Sequence, residues 1–148
     1  MKRYLLSFSL LLSTLVPVAQ TPVSNEFVLS GEIKDSKEKN VYLFYTNKDG
    51  SQVRDSCLLQ NGHFSFKGNI AGPTLAIIRT NRVIMADSEN KNIARIFLEP
   101  VNMTADILHD HFVEMKVTGS KTHEEFSEFE KRSRQINEKY SDSLYERH

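Results

Sequence analysis

The sequence predicts a mainly β fold: an antiparallel β-sandwich or barrel of about eight short strands, followed by one long C-terminal amphipathic helix. Three observations carry this expectation. From Glu26 to Gly119 apolar residues recur with a period of two. Turn-forming residues interrupt that pattern at short intervals. After Gly119 the apolar period changes to one near 3.6, with charged residues filling the intervals.

Length and composition set the outer limits. A chain of 148 residues holds one ordinary domain, and 39% hydrophobic with 26% charged residues is a soluble globular composition. Nineteen basic residues balance nineteen acidic ones, so no broad basic field points to nucleic acid. With one cysteine the chain makes no internal disulfide.

Residues 1–20 have the three-part layout of a secretory signal. Lys2 and Arg3 are the basic start, Tyr4 to Val16 the apolar run, and Pro17-Val18-Ala19-Gln20 the small or turn-prone close. The run is short for a permanent membrane span, so cleavage after Ala19 or Gln20 is expected rather than a retained anchor. No cysteine lies near the junction to carry a lipid, and no later segment is apolar for long enough to cross a bilayer. The expected organisation is therefore a signal peptide at 1–20, a β-sandwich at 21–119 and a helix at 120–148.

Phe27, Leu29, Gly31 and Ile33 alternate with Val28, Ser30 and Glu32, the pattern of a strand with one buried face. Val41 to Tyr45 is apolar on both faces and suits a central strand. Cys57 to Phe66 reads as two strands joined at Asn61-Gly62, whose residues tolerate the positive φ of a tight hairpin turn, with Phe64 and Phe66 inward. Cys57 itself reads as a small buried hydrophobe. Further strands are expected at Thr74 to Thr80, Ile93 to Glu99, Met103 to Leu108 and Phe112 to Thr118. In the last of these, Val113, Met115 and Val117 form the dry face. Asp87 to Asn92 reads as an exposed loop.

For the helix, Thr122 with Glu125 fits a capping box, and Glu124 and Glu125 suit the positive end of the helix dipole. Phe126, Phe129, Ile136, Tyr140 and Leu144 follow at near-helical spacing, with a polar gap at Ser133. Phe126 and Phe129 are expected to dock on the sandwich, each truncation costing about 2–4 kcal/mol. Either the helix lies along a sheet face, or Ile136, Tyr140 and Leu144 reach past the sandwich and meet another domain or chain. The helix reads either as a connector to a missing or separate module or as the last element of a stand-alone domain.

Motifs that carry chemistry are sparse. His109-Asp110-His111 supplies two weak candidate metal ligands, His109 and His111, where a stable zinc site needs three or four. Asp55-Ser56 and Ser120 with His123 evoke parts of a hydrolase triad, yet there is no Gly-x-Ser-x-Gly elbow and no glycine-rich phosphate loop. Tyr42, Phe44 and Tyr45 read as core before they read as a stacking platform. No catalytic residue and no cofactor is expected.

The ordered series Phe27-x-Leu-x-Gly31-x-Ile33, Val41-Tyr42-Leu43, Asp55-Ser56, Asn61-Gly62-x-Phe64-x-Phe66-x-Gly68, Ile96-Phe97-Leu98-Glu99-Pro100 and Val117-Thr118-Gly119-Ser120 carries a resemblance. It resembles the uncharacterised β-rich domain found before thioredoxin-like modules, of the TlpA/ResA and AhpC/TSA type, in envelope proteins of Bacteroidetes-type bacteria. The likeness runs from about Phe27 to Tyr140. It implies a periplasmic or envelope location in a Gram-negative bacterium, and a thioredoxin-like module or envelope protein as partner. The redox Cys-x-x-Cys pair of those modules is absent from this chain, so no catalytic role carries over. The expected function is a non-catalytic, exported accessory or interaction domain with Ile136, Tyr140 and Leu144 at its contact surface. The alternatives are a periplasmic β-sandwich that binds a small ligand or glycan near the Asp87 to Asn92 loop or the strand-end turns, or a metalloenzyme built on His109 and His111.

Overall fold

The computed structural model describes residues 24–80 and 90–145, with side chains through 140. The leader at 1–20, the loop residues Asp87 to Glu89 and the side chain of Leu144 lie outside the described residues. The described strands are β1 (Glu26–Lys34), β2 (Asn40–Thr46), β3 (Gln52–Leu58), β4 (His63–Asn69), β5 (Thr74–Arg79), β6 (Ile93–Leu98), β7 (Asn102–Leu108) and β8 (Lys116–Thr118). The helix α1 runs from Lys121–Tyr145. The strands form two four-stranded sheets in the orders β4-β1-β7-β8 and β3-β2-β5-β6. The fold is the expected β-sandwich with a trailing helix.

The period of two builds the core from both sheets. Phe27, Leu29 and Ile33 of β1, Val41, Leu43 and Tyr45 of β2, Ile96 and Leu98 of β6, and Met103, Ala105 and Ile107 of β7 are buried in one cluster. β2 lies between β3 and β5, the central position that its apolar faces suggest. Tyr45 faces inward and meets Phe27 edge-on at 5.1 Å between centroids, while Tyr42 and Phe44 occupy the opposite, half-buried face. All pairings are antiparallel except β1 with β7. In that parallel pair Gly31 lies opposite Ala105, and a Cβ on Gly31 would run into the Ala105 carbonyl oxygen. Glycine is required there by close backbone approach rather than by a turn.

The Asn61-Gly62 turn forms as its residues demand, with φ of 54° and 83°. Gln60 and His63 exchange both backbone hydrogen bonds across it. The expected pairing of the flanking strands does not follow. β3 pairs with β2 in one sheet and β4 pairs with β1 in the other, so the turn is the corner where the chain changes sheets. Phe64 and Phe66 still point inward. Each strand instead pairs along its length within its own sheet, β3 with β2 and β4 with β1, and long-range pairing overrides the local hairpin.

The expected strand at Phe112 to Thr118 is shorter than its alternation suggests. Phe112–Glu114 forms a 3-10 turn and only Lys116–Thr118 pairs with β7. Phe112 is completely buried and its N–H donates to the Lys91 carbonyl, which turns the chain inward at this point. That rotation leaves Val113 53% exposed, whereas Met115 and Val117 pack against the core as expected. Cys57 is partly buried beside the same core.

Candidate functional site

The helix meets the sandwich at β6, the edge of the second sheet, through a small set of polar and aromatic contacts. Its start is capped by Ser120, whose Oγ accepts from the His123 N–H at 3.0 Å and whose carbonyl accepts from the Glu124 N–H. The cap therefore lies two residues before Thr122, the expected position. Thr122 has another partner: its hydroxyl donates to the Glu99 carboxylate at the end of β6. That hydroxyl, together with the Ser120 hydroxyl and the backbone N–H groups of Thr122 and Lys121, holds the Glu99 carboxyl below the usual range for a glutamate. A side chain from the sheet edge thus satisfies the first orphan donors of the helix.

His123 makes the reciprocal contact. Its Nδ1 accepts the Phe97 N–H at 3.2 Å, so the helix supplies an acceptor to the backbone of an edge strand. The imidazole is buried, which pushes its pKa down, and the Glu130 carboxylate opposes that shift in part. A neutral ring with its proton on Nε2 is the form that fits. One turn further on, Phe126 packs edge-on against Phe97 at 5.1 Å, and the Arg95 guanidinium lies 5.4 Å from the Phe126 ring centre. Arg95 also pairs with Glu130. Nothing local in the sequence marks His123, Glu99 or Arg95 for these roles, because each acts across more than twenty residues of chain.

Beyond this clasp the helix leaves the sheet. Phe126 is half-buried, but Phe129 is 67% exposed and does not dock as expected. Ile136 and Tyr140 are 54% and 68% exposed. Successive helical residues advance by about 100°, so Phe129, Ile136 and Tyr140 share one stripe, turned about 60° from Phe126 and about 120° from His123. Between helix and sheet runs a shallow groove of about 450 Å³ lined by Ile77, Ile93, Val113 and Phe129, with Glu130 and Arg134 among its polar walls. Leu75 and Ile77 of β5 continue the exposed apolar surface over the outer face of the sheet. Of the three expected interaction residues, Ile136 and Tyr140 are surface groups, and Leu144 stands among the residues without described side chains.

The other candidates have local partners. His109 Nδ1 lies 3.4 Å from the Asp110 carboxylate, and His111 Nδ1 lies 3.6 Å from Glu114. Asp110, at φ 63°, exchanges hydrogen bonds with Asn92, and the bond from the Asn92 amide holds its carboxyl below the usual range. The turn thus ties the β7 exit to the β6 approach, and among the described residues no three His, Cys, Asp or Glu side chains converge. The Asp55 carboxylate accepts the neighbouring Ser56 N–H. Ser120 meets the backbone of His123 rather than its ring. Neither pairing has the geometry of an activated nucleophile. Among the described residues no helix is long and apolar enough to cross a membrane.

Comparison with curated proteins and with solved structures gives no match. A family model matches residues 27–126, which takes in the whole sandwich and the clasped first turns of the helix. The chain belongs to the uncharacterised family described as a domain of unknown function, DUF4369.

Proposed function

We propose that this protein is a non-catalytic, exported interaction domain whose partner contacts the distal helix and the adjoining outer face of β5. The observation that carries the reading is the stripe of Phe129 and Ile136, two large apolar side chains more than half exposed on a helix held to the sandwich through Thr122, His123, Phe126 and Glu130. Exposed apolar groups gathered on one side of an ordered element mark a contact surface more often than scattered ones do. Leu75, Ile77 and Val113 extend the same surface.

Export to the periplasm or cell envelope rests on the basic, apolar and small-residue layout of residues 1–20. The likeness to domains that precede thioredoxin-like modules supports a role beside thiol-disulfide oxidoreductases, without the redox pair itself. The short-range hydrogen bonding of His109, Asp110 and His111, and the role of Ser120 as a cap, favour binding over catalysis.

A photo-crosslinking residue placed at Ile136, with Glu32 on the other sheet as control, tests the reading in cells. A discrete adduct from position 136, absent from position 32 and abolished by Phe129→Glu, is the expected result. The absence of any adduct from position 136 overturns it.

A further inference from the structure

We propose that the cavity enclosed by α1, β6 and the 3-10 turn at Phe112–Glu114 binds a small organic carboxylate with a short apolar body, received by His123, Lys131 and Arg134. This site goes beyond the interaction reading, because it belongs to the single chain. His123, Ser127, Glu130 and Arg134 recur at intervals of four, three and four, which sets them within an arc of about 60° on the helix. A helix that docks on a sheet usually puts apolar residues on such a line. Here the line is polar. Instead of a packed contact it borders a cavity of about 300 Å³, whose other wall is Ala94, Val113 and Met115. That volume stands at the lower end of small-molecule sites.

His123 is the most buried polar group of the lining, at 3% exposure. Because its Nδ1 accepts the Phe97 N–H, the neutral ring carries its proton on Nε2. Among the described residues that proton has no acceptor, and Nε2 is not sealed among packed atoms, so the donor opens on the cavity that the ring lines. Around it three cations, Arg95, Lys131 and Arg134, outnumber two carboxylates, Glu114 and Glu130. Both carboxylates are engaged, Glu130 with Arg95 and Glu114 with His111 at 3.6 Å. Lys131 and Arg134 have no carboxylate partner among the described residues. One buried N–H donor and two unpaired cations suit a single anionic head group, and a planar carboxylate matches the fork of an arginine. The apolar wall suits a hydrocarbon body, which inorganic phosphate lacks.

Acetate, hexanoate and benzoate, titrated separately into the purified chain at constant ionic strength, test the site by NMR. Hexanoate and benzoate should give saturable shifts of the His123 Nε2 resonance and of the Ala94, Val113 and Met115 amides, with a dissociation constant of about 1 mM or tighter. Acetate, without the apolar body, should bind about tenfold more weakly, and so should uncharged benzamide. Lys131→Gln and Arg134→Gln, both at exposed positions, should each weaken benzoate about fivefold. Arg132→Gln, on the opposite side of the helix and already paired with Glu128, should leave it unchanged. His123 is read through its own resonance in the unaltered chain, because its substitution would also remove the contact with Phe97. Absence of a saturable shift with all three carboxylates overturns the proposal. So does benzamide binding as tight as that of benzoate, or an equal loss in Arg132→Gln and Arg134→Gln. Inorganic phosphate binding as tightly as benzoate overturns the carboxylate assignment. None of these outcomes depends on a crosslinked partner at Ile136, so the two readings fall separately.

Discussion

The two halves of α1 come from one continuous helix, yet they are stabilised in different ways. The first turns are held by specific tertiary contacts: Ser120 caps, Glu99 gathers four donors, His123 accepts from an edge strand and Phe126 meets Phe97 edge-on. Past Glu130, which still pairs with Arg95 of β6, Ile136 and Tyr140 are more than half exposed, and ion pairs such as Glu128 with Arg132 lie along the helix itself. Such pairs on an exposed surface contribute only a few tenths of a kcal/mol. The difference teaches that helical periodicity reports which residues share a stripe, whereas docking depends on where a sheet edge offers partners.

Several substitutions break or sharpen this contrast. The largest effect belongs to the sandwich that both halves depend on: Phe27→Ala should cost about 3–5 kcal/mol in urea unfolding, since it empties a fully buried site beside Tyr45. Phe126→Ala should cost about 1–2 kcal/mol, less than a core aromatic because the ring is only half-buried. Ser120→Ala should cost about 1 kcal/mol through loss of the cap. Phe129→Ala, measured in dilute protein, should change stability by less than about 0.5 kcal/mol. Equal losses at Phe126 and Phe129 would erase the boundary drawn between the two halves.

The clasp also has a pH signature. Burial holds the His123 pKa in the folded chain below its ordinary 6.5, so below that value the unfolded chain takes up a proton that the folded chain refuses. Stability should therefore fall as pH is lowered from 7.5 towards 5, and protonation would also remove the Nδ1 lone pair that accepts the Phe97 N–H. In His123→Asn the same titration should be flatter. Glu99 acts at lower pH: its depressed carboxyl adds stability above its ordinary 4.5 that is lost as pH falls through its folded value. Urea melts of Glu99→Gln between pH 3 and 5 should show a shallower slope than the unaltered chain.

Much of this architecture was legible in local chemistry. The alternation of Phe27, Leu29 and Ile33 names their buried face, Asn61-Gly62 names its turn, and the change of period after Gly119 names the helix. These features depend on backbone geometry and side-chain spacing within a few residues, which a single segment determines by itself. The tertiary structure decided which strands pair, and so made the Asn61-Gly62 turn a corner between sheets instead of a hairpin. It decided that burying Phe112 turns Val113 outward, and that Phe126 docks while Phe129 does not. It also recruited Glu99 and His123 into a clasp, because hydrogen bonds across 23 and 26 residues exist only once two distant segments are brought together.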